Sequence, residues 1–161
     1  MVDSNDDAQS RPPTLEDLIQ LCKNLNEEKV KYIVIGGMAM IQQGFVRATE
    51  DIDLLVDTSL ENEDKLRAAM SYLPDRAVLE IAPGELEQYG VIRVADEIVV
   101  DLMKSACGVA FGDAVPEIQW AEIQSVRIPF ASATLLWKMK QSVRGKDALD
   151  REFLKSVLER K

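Results

Sequence analysis

Asp51 and Asp53 stand one residue apart in an apolar run, DIDLLVD, that spans residues 51–57. In a strand, side chains two apart share a face, so both carboxylates point the same way and Ile52 points into the opposite layer. A buried charge is costly unless it is paired or binds a metal. Two carboxylates this close repel each other unless a cation sits between them. Mg²⁺ suits the arrangement: it is a hard ion that takes oxygen ligands at about 2.0–2.1 Å and leaves positions for water and substrate phosphates. A third carboxylate, Asp101, lies in another apolar run, EIVVDLM. Three acids on neighbouring strands match a pair of metals about 3.5–4 Å apart, the arrangement used for in-line phosphoryl chemistry. Glu50 and Asp57 read as solvated ends of the Asp51–Asp53 strand.

A glycine pair, Gly36-Gly37, follows the run VKYIVI and precedes MAMIQQG. The pair ends one strand and opens a short helix. Backbone amides at such a turn are free donors that favour anions, and glycine lets a phosphate approach without a Cβ in the way. A plain tight turn between strand and helix explains the same pair. The chain has neither GxxxxGK[ST] nor GxGxxG, so it is neither a P-loop nor a dinucleotide-binding sequence.

The elements that must position these residues follow from periodicity and punctuation. With 161 residues the chain has the length of one domain, which we expect over 14–161, behind a disordered polar tail over 1–13 closed by Pro12-Pro13. Thr14 is an N-cap with Asp17 at the capping-box position. Leu15, Leu18, Ile19, Leu21, Cys22 and Leu25 follow at helical spacing, predicting a helix to about residue 28. Strands are expected at VKYIVI and DIDLLVD, with the short helix between them. A helix over 61–72 comes next, and then a hairpin of YGVIRV and EIVVDLM around ADE. A looser stretch with Gly108, Gly112 and Pro116 leads to one short strand, IQSVRIP. The chain ends in a helical segment from Ser132, broken near Gly145. The pattern is α/β or α+β, with a mixed sheet flanked by helices and a helical C-terminus; the hairpin excludes a purely parallel sheet.

Composition narrows the function. The net charge of −9 weighs against a broad grip on nucleic acid. No apolar run approaches the roughly 20 residues of a membrane span, and the acidic N-terminus is not a secretory signal. Cys22 and Cys107 form no CxxC pair, and a chain without histidine offers no ordinary structural zinc site. The expected compartment is a reducing cytoplasm.

Gly36-Gly37, thirteen residues, then Asp51-Ile52-Asp53 and a later acid at Asp101 resemble the signature of the nucleotidyltransferase superfamily, the DNA polymerase β-like group. The wording GGMAMIQQGFVRATEDIDLLV is similar to small prokaryotic members of the abortive-infection and minimal type, and LLWKMKQSVRGKDALDREFL resembles the helical motif of that group. The resemblance covers roughly residues 30–155.

It implies the nucleotidyltransferase fold and transfer of a nucleoside monophosphate from a nucleoside triphosphate, such as ATP, to a hydroxyl, with release of pyrophosphate. Asp51, Asp53 and Asp101 would be catalytic and bind Mg²⁺ or Mn²⁺, with Asp101 also helping to deprotonate the attacking hydroxyl. Gly36, Gly37, Arg47, Lys140 and Arg144 would face the nucleotide. For Arg47 the other reading is a surface charge, and Thr49 reads as a strand-start residue. Lys140, Arg144 and Asp147 fall at i, i+4 and i+7, one face of a helix; a salt-bridged surface is the other reading of that stripe. Lys138 lies on another face. Trp137 and Met139 belong to the core, and Lys146 and Asp150 are expected to be solvated. The acceptor is a protein side chain, an RNA end or a small molecule. The alternative is a non-catalytic module on the same fold that binds nucleotide or, like an antitoxin, a toxin partner. Oligomeric state stays open.

Overall fold

Four consecutive apolar residues, Tyr32–Ile35, form β1 and are all buried, so helices cover the sheet on both faces at its centre. The computed structural model describes residues 10–141 and 145–160. Its main sheet has six strands in the order β3-β4-β2-β1-β8-β7. The strands are β1, β2 (Ile52–Val56), β3 (Val91–Ala95), β4 (Val99–Met103), β7 (Ile118–Ile123) and β8 (Val126–Ala131); β5 (Ser105–Ala106) and β6 (Val109–Ala110) form a separate small ribbon. β2 runs antiparallel to β1 and parallel to β4, and β8 runs parallel to β1, so the sheet is mixed. The helices are α1 (Leu15–Glu27), α2 (Gly36–Gln42), α3 (Leu60–Met70), α4 (Glu85–Tyr89), α5 (Phe111–Ala114), α6 (Ala133–Met139) and α7 (Gly145–Glu159). No helix among the described residues is long and apolar enough to cross a membrane.

Side chains clamp the strands into register. Asn62, buried at the start of α3, accepts from Lys31 N at 2.8 Å and donates to Lys31 O at 3.1 Å and Asp57 O at 2.7 Å. This one amide joins the beginning of β1 to the end of β2. Glu63, also buried, accepts from Gly84 N and Leu86 N at 2.9 and 3.2 Å. Asp96, in the β3–β4 turn, accepts from Asp75 N, Ala77 N and Glu97 N at 2.8–3.0 Å. Both carboxylates satisfy loop amides that would otherwise be buried without partners, and together they hold the connection that delivers β3.

The capping box on α1 is formed as expected, with Asp17 N donating to Thr14 Oγ1 and Thr14 N to Asp17 Oδ2. Residues 10–13, read from sequence as the end of a disordered tail, are seated on the fold. Ser10 Oγ donates to Asp96 O at 2.6 Å, Arg11 N donates to Glu97 O at 2.9 Å, and the Arg11 guanidinium grips both oxygens of Asp17. Residues 1–9 lie outside the described residues.

Two expectations for the C-terminal half need correction. The single strand expected at IQSVRIP is the turn of a hairpin: β7 and β8 pair antiparallel, joined at Gln124 and Ser125, both with positive φ (50° and 68°). Tight hairpin turns of this kind usually use glycine or asparagine, and this sequence has neither there. The C-terminal segment is broken near Gly145 as expected: Lys140 is the C-cap of α6, and Gly145 opens α7. Lys140 and Asp147 therefore belong to two different elements instead of one helical face, and Arg144 lies outside the described residues.

The two C-terminal elements are joined by buried charge. Lys140 Nζ lies 3.4 Å from Asp147 Oδ1 and 3.0 Å from Asp150 Oδ2, and Arg47 Nη1 reaches both oxygens of Asp150 at 2.8 Å. Asp150, expected to be solvated, is thus buried and paired twice. Arg151 Nη1 donates to Lys140 O at 2.6 Å, and Phe45 stacks on Phe153 with ring centres 4.7 Å apart. Lys138 is on another face, as expected, paired with Glu117. Met139 is buried and Trp137 packs against the core, also as expected. Cys22 is buried, which pushes its thiol up to about 12, and both cysteines are free.

Removing one member of a buried charge cluster strands its partners. Asp150→Ala is expected to lower unfolding free energy by about 3 kcal/mol, measured by urea denaturation. The Arg11 guanidinium is the main cause holding the Asp17 carboxyl at about 2, below the ordinary aspartate value of 3.8. A lowered folded-state value means that the carboxylate stabilises the fold above the unfolded value and loses that effect as pH falls through the folded one. The Tm difference between wild type and Asp17→Asn should therefore be full above pH 3.8 and vanish toward pH 2; a difference independent of pH would refute the assignment.

Candidate active site

One lateral row crosses four strands. Ile35 on β1 is paired with Asp53 on β2, Asp53 with Asp101 on β4, and Asp101 with Arg93 on β3. Residues opposite each other in a sheet share a face, so register alone sets Asp53 beside Asp101. Asp51 lies just before β2 and joins them: one carboxylate oxygen from each of Asp51, Asp53 and Asp101 lies within 4.8 Å of the others. The three acids singled out in the sequence thus converge. Asp101 is buried, and the other two are partly exposed.

The glycines are explained by close approach. Gly36 has φ +66°, and a Cβ there would lie 2.1 Å from Asp53 Oδ2. A Cβ on Gly37 would lie 2.5 Å from Thr49 Oγ1. Any side chain at Gly36 would both strain the backbone and displace the central carboxylate. Gly37 lines the cleft described next, whereas the missing side chain of Gly36 makes room for Asp53. Thr49 is more than a strand-start residue: its hydroxyl donates to Asp51 O at 2.9 Å, tying down the backbone ahead of β2.

A cavity of about 580 Å³ lies over the acids, lined by Gly37, Arg47, Thr49, Asp51, Asp53, Arg93, Asp101 and Lys140 among others. Arg47 and Lys140 therefore reach the cleft wall from the loop before β2 and the end of α6. Asp150 and Asp147 hold them there, and the four charges sum to zero. The sequence reading set Lys140 on one helical face with Asp147, whereas Asp147 and Asp150 reach it from α7, a separate helix.

Arg93 was not singled out in the sequence. Its Nε donates to Asp101 Oδ1 at 3.0 Å, and its Nη2 donates to Asp101 Oδ2 at 3.1 Å and Asp51 Oδ2 at 3.2 Å. A hairpin turning at ADE would set Arg93 opposite Val99; the observed turn at Asp96, Glu97 and Ile98 pairs Ala95 with Val99 and so Arg93 with Asp101. The donor set, three carboxylates with no nitrogen or sulfur ligand, fits a hard divalent cation such as Mg²⁺ or Mn²⁺.

No protein-family model and no curated protein sequence matches the chain. Solved structures do. A candidate nucleotidyltransferase from Thermotoga maritima superposes with a TM-score of 0.53 at 18% identity, over 91% of this chain and 93% of its own. The lincosamide antibiotic adenylyltransferase LnuA, bound to lincomycin, superposes with a TM-score of 0.55 at 16% identity, over 91% of this chain and 99% of its own. Nearly the whole length of each molecule is covered, and the chain therefore has the mixed α/β fold of the nucleotidyltransferases.

Proposed function

We propose that the chain is a metal-dependent nucleotidyltransferase that moves a nucleoside monophosphate from a nucleoside triphosphate to a hydroxyl and releases pyrophosphate. The observation that carries this reading is the convergence of Asp51, Asp53 and Asp101 at the floor of a cleft large enough for a nucleotide. Asp51, Asp53 and Asp101 would hold Mg²⁺ or Mn²⁺. When bound, such ions polarise phosphoryl oxygens and lower the pKa of a coordinated hydroxyl.

This chain's residues then have separable tasks. Asp51 and Asp53, anchored by Thr49 and by the space at Gly36, fix the floor of the cleft. Asp101 faces the acceptor and takes the proton of its hydroxyl; a bond forms between that oxygen and the α-phosphorus, and the bond to the bridging oxygen of pyrophosphate breaks. Arg47, Lys140 and the amide side of Gly37 line the wall where the remaining phosphates would lie. Most of the rate enhancement would come from orientation and fixed charge. Arg144 keeps its place in this proposal from the motif alone.

One structural neighbour is an adenylyltransferase, which makes ATP the first donor to test. The same neighbour's antibiotic ligand makes a small hydroxylated molecule the first acceptor class, beside a protein side chain or an RNA end. The net charge of −9 disfavours long nucleic acid. A second reading, a non-catalytic nucleotide- or partner-binding module of the antitoxin type, draws on a shallow apolar cavity of about 510 Å³ lined by Phe45, Leu149 and Phe153. Such apolar surface favours a partner.

The deciding experiment offers each of the four NTPs, labelled at the α-phosphate, with Mg²⁺ and cell extract, and follows label transfer and pyrophosphate. Asp53→Asn should cut pyrophosphate release by about 100-fold or more while the protein stays folded. Gly36→Ala should give a similar loss through displacement of Asp53, with stability lower by roughly 1–2 kcal/mol for the left-handed backbone. Undiminished release from Asp53→Asn would reject the catalytic reading, and nucleotide binding without release from wild type would select the second.

A further inference from the structure

Arg93 sits among the carboxylates that the proposed metal would need. It bonds both oxygens of Asp101 and one of Asp51 at 3.0–3.2 Å. Metal ligation asks for the same carboxylates at shorter range, about 2.0–2.1 Å for Mg²⁺. A guanidinium and a divalent ion on shared carboxylates repel, so occupation by one weakens occupation by the other. Arg93 is also able to leave. It lies on β3, one of the two outer strands of the main sheet, and its side chain is 52% exposed. The same side chain borders the cleft over the acids and a neighbouring cavity of about 320 Å³ beside Ser10, Arg11 and Val99.

Resting on the metal-dependent reading above, we propose that Arg93 is an internal counter-ion that makes the site bind a bare divalent cation poorly and a cation–triphosphate pair well. With no metal bound, the guanidinium offsets the repulsion between Asp51, Asp53 and Asp101 that their register enforces. A bare cation has to compete with it for Asp51 and Asp101. A triphosphate arriving with the cation supplies phosphate oxygens to which the released guanidinium can turn, and its planar fork suits them. Metal and triphosphate therefore bind with positive coupling, and the coupling is reciprocal. Arg93 is in this sense a positioning residue: it acts through the metal ligands and through the polyphosphate.

The test is a Mn²⁺ titration followed by the EPR signal of free Mn²⁺, with and without inorganic tripolyphosphate as a probe that carries no base. Arg93→Gln should bind bare Mn²⁺ about tenfold tighter than wild type, and tripolyphosphate should improve its Mn²⁺ binding much less than it improves that of wild type. Arg93→Lys keeps the charge but loses the fork and should fall between wild type and Arg93→Gln. Arg127→Gln makes the same change in net charge at a distant site, where Arg127 stacks over Trp120 at 4.3 Å, and should match wild type. Equal bare-metal affinity in wild type and Arg93→Gln, or an equal gain in Arg127→Gln, would overturn the proposal. Separately, Mn²⁺ binding that survives in the double variant Asp51→Asn, Asp53→Asn would overturn the metal reading itself.

Discussion

Lateral register across β1, β2, β4 and β3 is the constraint on which the site depends. It aligns Ile35, Asp53, Asp101 and Arg93 in one row. A slip of one residue in β4 would turn Asp101 into the opposite layer and bring an apolar neighbour to the site. The structure protects against that slip with groups far from the acids. Asn62 clamps β1 to β2, and Asp96 and Glu63 anchor the long connection into β3. These three polar side chains are buried, and each is satisfied by backbone groups, so they restrict register with little desolvation left uncompensated.

The same constraint creates an electrostatic problem, because it sets like charges side by side. Two devices answer it. Within the row, Arg93 is placed opposite Asp101 and reaches Asp51 as well. Around the row, space is withheld from everything but the carboxylate: Gly36 adopts a left-handed backbone and leaves Asp53 the volume that a Cβ would fill. The cleft wall follows a different plan. Arg47 and Lys140 are neutralised by Asp150 and Asp147 from α7, which fixes where two cations stand without leaving them uncompensated in the interior. The C-terminal helix thus contributes to the cleft indirectly, through the partners it supplies to residues of other elements.

Sequence periodicity succeeded where structure is local. The α1 helix with its capping box, the apolar strands, the β3–β4 hairpin and the turn at Gly36-Gly37 are all properties of short windows, and so were readable. It failed where the usual signals were missing or misleading. The β7–β8 hairpin turns at Gln124-Ser125 with two positive φ angles, a geometry normally announced by glycine or asparagine. Helical spacing set Lys140 and Asp147 on one face, but spacing carries no information past the end of α6, where Lys140 is the C-cap. Residues 10–13 are polar and proline-rich, yet Arg11 and Ser10 find partners on α1 and the β3–β4 turn.

By itself the sequence determined which acids would meet: Asp51 and Asp53 through strand parity, and Asp101 as the one carboxylate in an otherwise apolar strand. It also set a glycine turn ahead of them and offered oxygen, rather than nitrogen or sulfur, as the donor atom for any cation. Only the tertiary structure decided what accompanies them. Arg93 enters the cluster through the pairing of β3 with β4, and Lys140 meets Asp147 and Asp150 through the packing of α6 against α7. The physical reason is the range of the interaction. Parity and propensity act over a few residues of chain, whereas the partner of a charge is set by which strands and helices close on one another, and each such closure joins residues distant in sequence.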